Sequence, residues 1–212
     1  KTWQGPLKKV SGDAGNKIVS GNHSITWNVL EEFEELRGDK IKFQVRADGD
    51  DLETVKIGTQ EWTVKNLDVT RYRNGDIIPE VKDPKEWVEL KTGAWCYFDN
   101  DPKNGEIYGK LYNWYAVNDR RGLAPEGFHI PSVIELDNVP NLKDSARFNG
   151  LPGGYRYDSG IFYNIGNYGN WWSSTNKDKS NAWNRFLNYN YGNVEKSVSN
   201  KTNGFSVRCI RD

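Results

Sequence analysis

The side chains best suited to recognition are gathered in one stretch of the chain. Residues 161–205 contain eleven asparagines, at 164, 167, 170, 176, 181, 184, 188, 190, 193, 200 and 203. Their spacing is irregular, so they form a composition bias and not a ladder. Asn181, Asn184, Asn188, Asn190, Asn193 and Asn200 offer both donors and acceptors. Trp183, Tyr189 and Tyr191 add flat amphipathic rings, and Arg185 and Lys196 add cations. These eleven residues are the candidate ligand-binding set. Rings beside amides suit the hydroxyls and C–H faces of a carbohydrate, and suit a protein epitope equally well. Asn and Gly also populate ordinary surface turns, which is the plainer reading of the same stretch.

Catalysis is poorly provisioned. The chain has two histidines, His23 and His129, and two cysteines, Cys96 and Cys209. No nucleophile motif surrounds His129, so a catalytic triad is unsupported and a turn-bound structural histidine is expected. Two cysteines are too few for a zinc cluster or a disulfide framework. One bridge and two buried free thiols remain open alternatives. Asp99-Asn100-Asp101 with Asn104 presents hard oxygens, but lacks the Gly and Glu of a calcium loop; Asp-Asn-Asp-Pro reads as a turn. The expectation is therefore no enzyme, no metal and no cofactor.

Those residues need elements to hold them. The 212 residues suit one module of about 150 residues plus a smaller one. Nine Trp, eleven Tyr and eight Phe offset a low aliphatic content, because each buried ring removes about 150–250 Å² from water. The 21 Gly and 8 Pro indicate a loop-rich fold with little helix. Lys plus Arg equals Asp plus Glu at 29 each, so composition provides no steering toward nucleic acid or an anionic membrane. No apolar run reaches the roughly 20 residues of a membrane span. The chain begins at Lys1 and contains no Met. That reads as a processed or truncated product, with any signal peptide or lipid anchor upstream.

Ile25, Trp27 and Val29 alternate with polar residues, as do Ile41, Phe43 and Val45 after an acidic turn. Two or three strands cannot bury both faces alone, so residues 1–47 read as the trailing part of an immunoglobulin-like β-sandwich. Residues 48–53 read as a linker, and residues 54–212 as a second unit. Within it, Trp87 to Phe98 reads as a strand ending in the acidic turn. Tyr108 to Val117 reads as a helix. Val133 to Asn138 reads as a second short helix, capped by Ser132 with Glu135 completing a capping box. After Gly150 the pattern is short strands and turns. The paired Trp171-Trp172 predicts a strand with one ring on each face.

Several phrases of the second unit follow one another in a known order. They include Val55-Lys56-Ile57-Gly58, Tyr108-Gly109-Lys110-Leu111-Tyr112-Asn113-Trp114, Pro125-Glu126-Gly127-Phe128-His129, Leu151-Pro152-Gly153-Gly154-Tyr155-Arg156, Trp171-Trp172-Ser173-Ser174 and Gly204-Phe205-Ser206-Val207-Arg208. In these the chain resembles the Fibrobacter succinogenes major paralogous domain family, over about three quarters of its length. The resemblance implies an α+β, C-type-lectin-like fold in a secreted or lipid-anchored surface protein of Bacteroidetes-type bacteria. It implies a non-enzymatic ligand-binding or adhesion role toward a glycan or protein at the outer-membrane surface. A structural subunit of a surface assembly (secretion, motility or fibre) is the alternative. Ala124 stands where the family usually has a cysteine, so the usual partner of Cys209 is expected to be missing. Formylglycine-generating oxidases share the broad fold, but their chemistry needs a reactive cysteine pair. Trp183-Asn184-Arg185 lies where calcium-dependent lectins place Trp-Asn-Asp. The basic third residue removes a carboxylate ligand and argues against a sugar-bridging calcium.

Overall fold

Backbone hydrogen-bonding partners, rather than residue propensity, decide which of these segments become strands. The computed structural model describes residues 10–12, 25–27, 52–139, 148–190 and 193–212. The chain divides into two units, Lys1–Asp51 and Leu52–Asp212. In the first, β1 (Val10–Gly12) and β2 (Ile25–Trp27) pair antiparallel with Val10 opposite Trp27. The expected strand around Ile41, Phe43 and Val45, the acidic turn before it and most of the linker lie outside the described residues.

The second unit is mixed α+β, mostly strand with short helices. It opens with a hairpin, β3 (Thr54–Ile57) and β4 (Gln60–Thr63), turned at Gly58. The strand expected from Trp87 to Phe98 is corrected. Pro84–Val88 is a helix, α1, because Asp83 accepts from the amides of Lys85 and Glu86, and Pro84 occupies the first turn, where no N–H is needed. Only Trp95–Cys96 is strand, β5, and Phe98–Asn100 forms a 3-10 turn with Asp99 and Asn100 at positive φ.

The helix expected from Tyr108 to Val117 is corrected as well. Asp101 caps α2 (Pro102–Tyr108), which stops at Gly109 with φ of 72°. Leu111–Tyr112 is then β6, paired with β5, and a single helical turn, α3 (Trp114–Val117), follows under an Asn113 cap. After β7 (Phe128–His129) comes α4 (Val133–Asp137), with the expected Ser132–Glu135 capping box present in both directions.

The rest is strand. β8 (Gly153–Arg156) and β9 (Phe162–Ile165) form a hairpin; β10 (Tyr168–Asn176), β11 (Asn181–Asn188) and β12 (Asn193–Asn200) form a long meander. These last three are longer than the short strands expected. β13 (Ile210–Arg211) ends the unit. The sheets run β12-β11-β10-β8-β9 and β3-β4-β13-β7, with β5-β6 as a separate ribbon.

Period-2 alternation sends Trp171 and Trp172 to opposite sides of β10, as expected, and both are fully buried. Trp171 packs with Trp62, Leu136, Phe148, Leu187 and Ile210. Trp172 packs with Tyr112, Trp114, Ala182, Phe205 and Val207. A third cluster, Trp87, Cys96, Phe98 and Leu111 among its members, lies apart from both. Two buried arginines tie loops to these cores with no carboxylate partner among the described residues. Arg156 donates to the carbonyls of Gly160, Val81 and Lys82 and stacks over Trp87 and Phe162. Arg208 donates to Asn66 and to the carbonyls of Thr63, Phe148 and Asn149.

Candidate recognition surface

The long meander carries the sequence-predicted set, and strand alternation divides it. Asn181, Trp183 and Arg185 of β11, with Lys196 and Asn200 of β12, lie on one face. There the Lys177 and Lys196 ammoniums lie 5.1 and 5.5 Å from the Trp183 ring centre. Arg185 pairs with Asp137 of α4, and Lys196 joins the same carboxylate at 3.1 Å. Asn200 caps the following turn by accepting from Thr202. The Trp183 ring is therefore already engaged by cations.

Asn184 and Asn188 lie on the other face. Asn184 is fully buried, its oxygen accepting from Ser199, so its side chain is part of the interior. Asn188 donates to the Tyr168 hydroxyl at 3.0 Å. Asn190 sits in the exposed turn beyond β11, bonded to Asn188 and Asn167. Tyr189 is half-buried, and burial pushes its phenol up to about 12. Tyr191 lies outside the described residues, and Asn193 begins β12. The structure thus does not bring the predicted set into one surface.

What the second face does gather is a set of rings from four strands. Tyr155 of β8 lies directly opposite Tyr163 of β9. Their ring centres are 6.0 Å apart, and Tyr157 lies 6.5 Å from Tyr155 and 6.2 Å from Tyr163. Tyr168 of β10 and Phe186 of β11 pair at 6.0 Å. Underneath, Phe205 contacts both Tyr155 and Trp172, at 6.0 and 4.4 Å. Tyr157 and Tyr163 are 46% and 41% exposed, enough to meet a ligand while held by their neighbours.

Amides fix the phenols. Asn164 donates to the Tyr155 hydroxyl at 3.3 Å from a backbone φ of 64°, a left-handed conformation uncommon for a residue other than glycine. Gly154, opposite, is at φ of 66°, and a Cβ there would stand 2.5 Å from the Phe98 ring. Burial raises the Tyr155 phenol above its usual range, reinforced by the neighbouring tyrosines although Asn164 opposes it. Asparagine density does not mark these tyrosines. The signal the sequence does carry is the spacing of two between Tyr155, on β8, and Tyr157, one residue past its end.

The remaining candidates have structural explanations. Burial pushes the thiols of Cys96 and Cys209 up to about 12, and both are free. Neither is a thiolate at neutral pH, so neither is poised as a nucleophile. Among the described residues, no three His, Cys, Asp or Glu side chains converge on a metal position. Asp101 serves α2 as its cap, and the amides of Asn100 and Asn104 donate to the carbonyls of Lys82 and Phe98. A polar cleft of about 1050 Å³ beside α3 contains Asp76, Asp119 and Arg121. Those three charges are spent on each other, since Arg121 bonds both carboxylates and stacks on Tyr72, while Lys91 and Arg120 also line the cleft. No helix of the described residues is long and apolar enough to cross a membrane.

His129 is held between Glu135 at 3.0 Å and Asp212 at 2.8 Å. Desolvation lowers its pKa, but the two carboxylates outweigh it and the net shift is upward. Burial works against Glu135, yet hydrogen bonds from Ser132 and His129 leave its pKa lowered. A raised histidine stabilises the fold below its unfolded pKa and loses that contribution as pH rises through the folded value. A lowered glutamate contributes above its unfolded pKa and loses it on acidification. The clamp is therefore strongest between about pH 4.5 and 6.5. His129→Ala is expected to lower the urea midpoint in that window and to matter less at pH 8.5. Water screens these half-exposed groups, so the loss stays below about 1 kcal/mol. An equal loss at both pH values would remove the ion pairs from the account.

The chain can now be placed. The family model described as Fibrobacter succinogenes major domain matches residues 55–142 and 135–211. The chain belongs to this family, which accounts for the order of the phrases from Val55 onward. No curated protein and no solved structure matches it.

Proposed function

We propose that residues 54–212 form a C-type-lectin-like module that binds a ligand, glycan or protein, and does no chemistry of its own. Its setting is the outer surface of a Bacteroidetes-type bacterium, as part of a secreted or lipid-anchored adhesion protein, and residues 1–47 are the end of an immunoglobulin-like domain. The observation that supports this reading is the tyrosine cluster of Tyr155, Tyr157, Tyr163 and Tyr168, with amides fixed on two of its hydroxyls. Tyrosine supplies large contact area at little conformational cost, and adjacent asparagines supply adaptable hydrogen bonds. Tyr163 stands on a paired strand, and Tyr157 follows directly on β8 with its amide bonded to the Ile161 carbonyl, so both are held more precisely than on a free loop.

The module is best screened against glycans and bacterial surface proteins together. Tyr157→Ala and Tyr163→Ala are expected to weaken the ligand found by about tenfold each, a loss of roughly 1.4 kcal/mol. Trp183→Ala, on the opposite face, is expected to leave affinity unchanged. The reverse ranking would move the site to the Trp183 face. Protection of Tyr163 from chemical modification by neighbouring subunits, with no free ligand bound, would favour a packing role in a surface assembly.

A further inference from the structure

The tyrosine face carries an unusual charge pattern. One cross-strand row runs from Tyr163 to Tyr155, then, one residue beyond the Gly154–Gly169 pair, to Asn170, Phe186 and Glu195. Four inter-strand gaps make the row about 19 Å wide. No strand residue on this face is cationic. Arg156, Arg185 and Lys196 all belong to the opposite face, and Glu195, which is exposed, is the face's one ionised strand residue. Two amides stand at the tyrosine hydroxyls within reach of solvent: Asn164, exposed, on Tyr155, and Asn188, part-buried, on Tyr168.

Resting on the reading that this face is the binding site, we infer that its ligand is an uncharged glycan chain laid across the strands. Tyr163, Tyr157 and Tyr155 present rings to the C–H faces of the sugars. The Glu195 carboxylate and the asparagine amides meet the hydroxyls, which both donate and accept. A uronate or sulfate group would find no cation among the described strand residues of this face and would be repelled by Glu195. A nucleic acid is excluded on the same ground.

The test uses the full chain and an array of neutral gluco-, manno-, xylo- and galacto-oligosaccharides beside oligogalacturonates and a sulfated glycosaminoglycan. Binding is expected to the neutral group alone, changing less than about twofold between roughly 0.05 and 0.5 M salt, where exposed charge pairs would be screened. Tyr163→Ala is expected to weaken it about tenfold and Glu195→Gln about threefold, with Lys196→Ala unchanged. All three altered residues are solvent-exposed, and an unchanged urea midpoint verifies that the variants fold. Preference for the acidic glycans, or no neutral glycan bound, overturns the inference. If a bacterial surface protein binds instead and Tyr163→Ala abolishes that, the ligand class is wrong while the site stands. If a neutral glycan binds and Tyr163→Ala has no effect, the site itself is wrong.

Discussion

Arg208→Ala is expected to destabilise the domain by about 3–5 kcal/mol, a large share of the 5–15 kcal/mol typical of a whole domain. Arg208 is 1% exposed, and burial pulls its guanidinium down to about 9, so it is still charged at neutral pH. Among the described residues no carboxylate meets it. Four neutral oxygens do, at 2.7 to 2.9 Å: Asn66 Oδ1 and the carbonyls of Thr63, Phe148 and Asn149. Removing the side chain leaves three carbonyls without this donor and opens space beside the Phe148 ring, on which the guanidinium stacks at 4.7 Å. It also breaks the link between β4, the Phe148–Asn149 turn and the final segment. Asn66 would keep Trp171 Nε1 as a donor at 3.0 Å, so one acceptor stays satisfied. Arg208→Lys should recover only a minor part, because an ammonium cannot reproduce the planar fork. Urea denaturation followed by tryptophan fluorescence measures both. A loss under about 1 kcal/mol for the alanine variant would show that water replaces the guanidinium at these carbonyls.

Trp172→Ala should cost a comparable 3–5 kcal/mol, by a different route. The indole is fully buried, 4.4 Å from the Phe205 ring, and its Nε1 donates to the Tyr112 carbonyl at 2.8 Å. Truncation forfeits the transfer free energy and leaves a cavity that strands on both sides keep from collapsing. The consequence reaches the surface. Phe205 stands between Trp172 and Tyr155, so its shift would loosen the ring on which Tyr163 leans. Trp172→Phe is expected to fold with a smaller loss, about 1–2 kcal/mol. Trp171→Ala, in the other core, should destabilise the fold without disturbing the tyrosine face. Equal binding by folded Trp172→Phe and wild type would mean the face is rigid without that support.

Where structure is decided within a few residues, the sequence was sufficient. The Ser132–Glu135 capping box starts α4 because both of its bonds close within one turn. Trp171-Trp172 could be assigned to opposite faces because a strand permits nothing else. The order of the phrases placed the chain in its family. The failures were of another kind. Trp87 and the residues after it looked like a strand by their rings, but the Asp83 cap and Pro84 direct the start of that segment into a helix. Tyr108 to Val117 looked helical by spacing, yet Gly109 ends one helix and β5, far back in the chain, claims Leu111 and Tyr112.

The candidate site divides the same way. Composition marks asparagines and rings that stand along β10, β11 and β12. It could not say that Trp183 and Asn188 face opposite ways, or that Asn184 is interior, because that depends on the register with β10 and β12. Nor could it supply Tyr155, Tyr157 and Tyr163, which reach the meander only through a parallel pairing of Gly154 with Gly169. Side-chain chemistry is local and was written in the residues. Which of those side chains share a face is a property of long-range hydrogen bonds, and only the folded sheet determines it.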